Sequence, residues 1–322
     1  MIHILLIIIF ILLMIKEYKN DFYLRTVIHR IENNVSFIKN TLKQTNVQSN
    51  NGDFINIEYY IPDKIKHNNV ILFIPGYCSG IEYEPLISLM NEYKKRDYII
   101  YVKNWRGIKS DIVYENEKFF SETAIDDFKT VLNYINKKYK LPIIGIGHSM
   151  GGILFLKYNY LYNENNIKKM ILISTPLMLN KNYNRFKKTF INYIFLGSYI
   201  DIIKNKNENE SLKKQLYANT DKKKKIYNLM RYKSAINNYD QFFEWGTVGK
   251  EIIDNINKPT LWITSKNDKI SYYNGIEDDI DTDNPFFKKI IFNYGEHGNY
   301  FNNMLSRKYN LFNKIDHYIN NN

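Results

Sequence analysis

Ile143-Ile144-Gly145-Ile146-Gly147-His148-Ser149-Met150-Gly151-Gly152-Ile153-Leu154-Phe155-Leu156 is the stretch that decides the fold. It opens on an apolar run, Ile143 to Ile146, that reads as a buried strand. It then passes through Gly147-His148-Ser149-Met150-Gly151, a G-x-S-x-G motif, and closes on an apolar helical pattern. Strand, sharp turn and helix are the context in which such a serine stands clear of a sheet with its hydroxyl exposed. Gly147 and Gly151 fit because bulkier residues there would collide with the neighbouring strand and helix. The N-terminus of the helix adds positive potential beside the serine.

Outward from this point the pattern repeats. Short apolar runs at Val70 to Ile74, Tyr98 to Val102, Met170 to Ile173, Leu261 to Thr264 and Ile290 to Phe292 are separated by helical stretches. Apolar runs without alternation indicate strands buried on both faces, and strands alternating with helices indicate a mostly parallel sheet. The expected class is α/β, with helices on both faces of the sheet. Phe54 to Tyr60 alternates instead, as a half-buried antiparallel strand does. From about Leu177 to Thr247 no buried strand is legible. This segment, which holds Lys222-Lys223-Lys224-Lys225, is read as an inserted helical cap.

Composition excludes several classes. The chain has 322 residues, 44% hydrophobic and 24% charged, enough apolar content for a packed core. Its single cysteine excludes an intrachain disulfide and a cysteine-based zinc cluster. The net charge of +12 comes mostly from scattered lysines, with no arginine stripe and no nucleic-acid module, so no nucleic acid is expected as a partner.

The N-terminus has its own character. Met1 to Ile15 is apolar except for His3. As a helix it would reach about 22 Å, short of the roughly 30 Å hydrocarbon core of a bilayer. No Lys or Arg precedes it, and Lys16-Glu17-Tyr18-Lys19-Asn20 offers no small-residue cleavage site. Residues 1–15 are therefore expected to be a hydrophobic anchor that associates the protein with a membrane. If they are instead a signal peptide, the protein enters the secretory pathway. Residues 16–52 are assigned to an N-terminal extension and 53–322 to the main domain with its cap.

A serine nucleophile needs a base, and the chain has six histidines. His3 lies in the leader, His29 and His67 precede the core of the sheet, and His148 lies inside the elbow, pointing away from its neighbour. Of the remaining two, His317 sits in a polar C-terminal helix. His297, in Asn293-Tyr294-Gly295-Glu296-His297-Gly298, follows the last buried strand in a loop between small residues. The base in turn needs a carboxylate to fix its tautomer. Asp268 is the only acid directly after the strand Thr260 to Thr264, and the order Ser149, Asp268, His297 is the one an elbow serine requires. Oxyanion donors are expected from the backbone N–H of Met150, after the serine, and of Tyr77, in the loop Pro75-Gly76-Tyr77-Cys78-Ser79-Gly80 after the first parallel strand. Cys78 lacks an elbow and is read as a bystander thiol.

These residues resemble the α/β-hydrolase superfamily, and within it the monoacylglycerol lipase and lysophospholipase group, also classed with the serine aminopeptidase-like hydrolases. The resemblance runs from about Asp53 to the C-terminus. It rests on the Gly147-His148-Ser149-Met150-Gly151-Gly152 elbow, on Ile74-Pro75-Gly76-Tyr77, on Asn104-Trp105-Arg106-Gly107-Ile108-Lys109-Ser110 and on the Asp268 and His297 stations. The chain departs from the group in having Pro75 where a histidine is usual, and Asn104 and Lys109 where an acid and a glycine are usual. The resemblance implies a serine hydrolase of carboxylic esters, with lipid monoesters such as monoacylglycerol or lysophospholipid as substrates and no metal or organic cofactor. Two other readings stay open. One is a peptidase of the same fold, with Glu208, Glu210 or Asp240 receiving a substrate amine. The other is a catalytically inactive membrane-associated scaffold.

Overall fold

The computed structural model describes residues 41–50, 52, 54–76, 84–105, 123–163, 166–181, 244–268, 270–293, 295, 297 and 311–321. In chain order its elements are β1 (Lys43–Gln48), β2 (Phe54–Tyr60), β3 (Val70–Ile74), α1 (Glu84–Lys95), β4 (Ile99–Lys103), α2 (Thr123–Tyr139), β5 (Ile143–His148), α3 (Met150–Tyr162), β6 (Ile167–Ile173), α4 (Gly249–Asp254), β7 (Thr260–Ser265), α5 (Ile276–Asp279), β8 (Phe287–Phe292) and α6 (Leu311–Asn321). The strands form one sheet in the order β1-β2-β4-β3-β5-β6-β7-β8. β1, β2 and β4 pair antiparallel, and β4 through β8 run parallel.

The period of two along each strand divides the core. Val70, Leu72 and Ile74 of β3 face one apolar cluster with Phe128 and Val131 of α2 and Ile153 and Leu154 of α3. Ile71 and Phe73 face the other, with Leu86 and Met90 of α1 and Ile315 and Ile319 of α6. Every residue of β3 is buried, so both faces of the strand must be apolar, which is why the run shows no alternation. Each such side chain contributes about 1.5–3 kcal/mol on burial.

The sheet begins earlier than the expected boundary at Asp53. Lys43–Gln48 pairs in full register with Phe54–Tyr60, from Lys43 opposite Tyr59 to Gln48 opposite Phe54. This edge strand is exposed or half-buried along its length, and its polar sequence carries no hydropathy signal. β6 also starts ahead of its apolar run, at Ile167, because Lys169 is buried in it. The Lys169 ammonium donates to the carbonyls of Tyr318 (3.0 Å) and Ile319 (2.6 Å) in the last turn of α6, which suits a cation at a helix C-terminus.

The two ends of the segment read as a cap lie together. Val248 N–H donates to Leu177 O at 2.9 Å and Asn180 N–H to Thr247 Oγ1 at 2.8 Å. The chain thus leaves and re-enters the sheet at one place. Residues 182–243 of that segment, Met1 to Ile15 and residues 16–40 of the extension lie outside the described residues. Among the described residues no helix is long and apolar enough to cross a membrane.

Candidate active site

Ser149 sits between the last residue of β5 and the first of α3, at the C-terminal edge of the sheet, with φ 52° and ψ −118°. A non-glycine residue at positive φ is strained by about 1–3 kcal/mol, and here the surroundings hold it. Ser149 N–H donates to Ile173 O at 2.9 Å, tying the turn to β6, and Gly152 N–H donates to Ser149 O at 3.0 Å. The turn is tight against β3 as well. A Cβ on Gly151 would lie 2.2 Å from Ile74 O and 2.9 Å from Pro75 O, so only glycine lets the first turn of α3 pass there.

Asp268 lies in the turn after β7 and is wholly buried. Its carboxylate is held from several sides. Ile270 N–H (2.8 Å) and Ser271 N–H (3.0 Å) donate to Oδ1, and the Ser271 hydroxyl donates to Oδ2. Bonds to the backbone two and three residues on are the local habit of aspartate in turns. Ser271 Oγ also lies 2.7 Å from Thr264 Oγ1, which anchors it to β7.

His297 follows β8, its side chain nearly enclosed, and its Nδ1 stands 3.1 Å from each oxygen of Asp268. A carboxylate accepting from Nδ1 fixes the tautomer with Nε2 free of its proton. Burial raises the Asp268 pKa, but the His297 charge and the hydrogen bonds from His297 and Ser271 outweigh it, so the carboxyl titrates below its ordinary range.

The structure thus joins Asp268 to His297 by direct hydrogen bonds and sets Ser149 at the turn after β5. It places Met150 as the first residue of α3, buried, with Gly147 and Gly151 flanking the turn. Tyr77 and Cys78 lie outside the described residues. His317 is exposed on α6. Among the described residues no group of three or more His, Cys, Asp or Glu side chains is placed to hold a metal.

Two residues of the site were not singled out from sequence. Ser271 was unmarked, although a hydroxyl three residues after a turn aspartate is a signal for a local hydrogen bond. His148 was read only as pointing away from Ser149, and its packing partner was not identified. Its ring packs against His297, centroids 4.9 Å apart and planes at 60°. It fills the space that Gly76 leaves, since a Cβ there would come within 2.8 Å of His148 Nδ1 and 3.1 Å of Ser149 Cβ. Burial above all, and then the charge of His297, push the His148 pKa well below the usual imidazole range, with Asp268 acting the other way.

Comparison with known proteins agrees with this architecture. The family model described as "Serine aminopeptidase, S33" matches residues 66–284, well over half of the chain. The chain belongs to the serine aminopeptidase S33 family of α/β hydrolases. Among solved structures, the Pyrococcus furiosus esterase Pf2001 is 14% identical, with a TM-score of 0.58 over 86% of this chain and 89% of that one. A thermostable carboxyl esterase from Bacillus coagulans is 14% identical, with a TM-score of 0.54 over 87% and 98% of the two chains. The Exiguobacterium antarcticum esterase EaEST is 16% identical, with a TM-score of 0.53 over 86% and 99%. At these identities the likeness is one of fold, and this family member's chemistry must be argued from its own residues.

Proposed function

We propose that this S33-family protein is a serine hydrolase of carboxylic esters, with lipid monoesters such as monoacylglycerol or lysophospholipid as its substrates. The observation that carries the reading is the pair of 3.1 Å contacts from His297 Nδ1 to the buried Asp268 carboxylate, on the same edge of the sheet as the strained Ser149.

The chemistry follows from these groups. His297 Nε2 takes the Ser149 proton as Oγ attacks the ester carbonyl carbon, and the carbonyl π electrons move onto oxygen. The Met150 N–H, at the N-terminus of α3, and the Tyr77 N–H receive that oxyanion. Collapse expels the alkoxide, which takes the proton from His297 and leaves as the alcohol. Water, deprotonated by His297, attacks the acyl-enzyme and releases the acid and free Ser149. Asp268 stays ionised throughout, as its lowered pKa favours. The apolar Met1 to Ile15 segment associates the protein with a membrane surface, where acyl substrates partition.

A panel of p-nitrophenyl esters of rising chain length, monoacylglycerol, lysophospholipid and aminoacyl p-nitroanilides tests the reading on wild type and Ser149→Ala. Ester turnover that rises with chain length, includes the lipid monoesters and vanishes in the variant is the expected result. Cleavage of the anilides alone would make the protein a peptidase. Turnover of none would make it an inactive scaffold.

A further inference from the structure

The two oxygens of Asp268 are held differently. Oδ1 accepts from two backbone amides, Ile270 N–H and Ser271 N–H, at 2.8 and 3.0 Å. Oδ2 accepts from the Ser271 hydroxyl. The last torsion of an aspartate side chain is soft, so bonds to Oδ1 alone would leave the carboxylate free to turn about it. The Ser271 hydroxyl pins the second oxygen and so fixes the plane. His297 Nδ1 stands 3.1 Å from each oxygen. That equal reach requires both oxygens to face the ring together.

Ser271 is in turn aimed from the sheet. Its Oγ lies 2.7 Å from Thr264 Oγ1. A hydroxyl has one proton, and an ionised carboxylate only accepts. Ser271 spends its proton on Asp268, so Thr264 is the donor to Ser271 Oγ. The direction of the chain is therefore set: Thr264 to Ser271 to Asp268. Thr264 is fixed in β7, in register with Ile291 of β8. Thr264, Asp268 and Ser271 have no exposed surface, so bulk water does not replace a hydroxyl removed there.

We propose that Ser271 and Thr264 are positioning residues for the acid of the site, the Thr264 hydroxyl aiming the Ser271 proton at Oδ2 so that the Asp268 carboxylate holds its plane toward His297 Nδ1. The inference rests on the serine-hydrolase reading. It gives β7 a second part in the site, since the strand that carries Asp268 at its end also orients the carboxylate. Loss of the Ser271 hydroxyl leaves the charge of Asp268 in place and removes only its alignment. The effect on kcat should thus fall well short of the roughly 10,000-fold that loss of the acid's charge brings.

The test uses the full-length protein as wild type, Ser271→Ala, Thr264→Val and Thr264→Ser. Thr264→Val keeps the side-chain shape and removes the donor, and Thr264→Ser keeps the donor. Hydrolysis of p-nitrophenyl butyrate, the rate of fluorophosphonate labelling and urea midpoints from pH 5 to pH 3 are read on all four. In Ser271→Ala, kcat should fall about 3- to 30-fold with KM within twofold, and labelling should slow in parallel. Thr264→Val should lose about 2- to 5-fold, and Thr264→Ser should recover most of that loss. The urea series separates alignment from packing. The Ser271 hydroxyl helps hold the Asp268 carboxyl below its ordinary range, with His297 in contact and His148 behind it as the other titratable groups facing the carboxylate among the described residues. Without that hydroxyl the folded value rises toward the unfolded one, so the fall in midpoint from pH 5 to pH 3 should be shallower than in wild type. An unchanged kcat in Ser271→Ala overturns the proposal. So does a midpoint lowered equally at every pH, which marks Ser271 as packing alone. Equal losses in Thr264→Val and Thr264→Ser overturn the part of Thr264, and this pair decides if Ser271→Ala does not fold. Failure of wild type to label at Ser149 refutes the serine-hydrolase reading, and this inference with it. Normal wild-type labelling beside an unaffected Ser271→Ala refutes only the positioning role.

Discussion

The buried Asp268 carboxylate accepts from four donor groups, and only one of them belongs to His297. Removing its charge leaves the geometry and loses the control of the imidazole. Asp268→Asn should therefore lower kcat by about 10,000-fold, and His297→Ala by at least as much. His317→Ala, on the exposed face of α6, should change kcat less than twofold. Ester hydrolysis by the three purified variants checks the set. A dead His317→Ala beside an active His297→Ala would assign the base to the wrong residue. The lowered pKa of Asp268 also has a sign in stability. A depressed folded value means stabilisation that is present above the unfolded carboxyl pKa of about 3.9 and lost as pH falls through the folded value. Urea midpoints measured from pH 5 down to pH 3 should thus fall more steeply for wild type than for Asp268→Asn. Equal slopes would mean that the carboxylate is not held in the way its hydrogen bonds indicate.

At the scale of elements, the turn from β5 into α3 depends on close backbone contact. Gly151→Ala would drive a methyl into the Ile74 carbonyl, a main-chain atom that cannot rotate away. The expected destabilisation is about 1–3 kcal/mol, and thermal denaturation should show a fall of about 2–4 °C for each kcal/mol. An unchanged melting temperature would mean that α3 does not pass β3 this closely. The elements were legible in sequence where burial on both faces forced continuous apolar runs, as in Val70 to Ile74. They were not legible where a strand is polar. β1 is an edge strand with little to bury, and β6 carries the buried Lys169, whose partners lie on α6, far along the chain. The positions of Ser149, Asp268 and His297 were legible because each lies in the turn or loop that follows a strand. The packing of His148 on His297 was not, since it depends on space left by Gly76 on another strand.

At the scale of the whole molecule, the sheet gathers Gly76, Ser149, Asp268 and His297 at its C-terminal edge, and the segment 177–247 departs and returns there, at Leu177 and Val248. If Met1 to Ile15 is the anchor proposed above, a chain starting at Asn20 should leave the membrane fraction in sedimentation and still hydrolyse a short soluble ester at the wild-type rate. Loss of all activity would instead make that segment part of the folded domain. The central claim, that Ser149 is a nucleophile activated by His297 and Asp268, is tested most directly by mass spectrometry of the full-length protein after reaction with a fluorophosphonate. The account predicts one adduct per chain, mapped to Ser149 and absent from folded Ser149→Ala. No adduct on wild type, or an equal adduct on the variant, would contradict it.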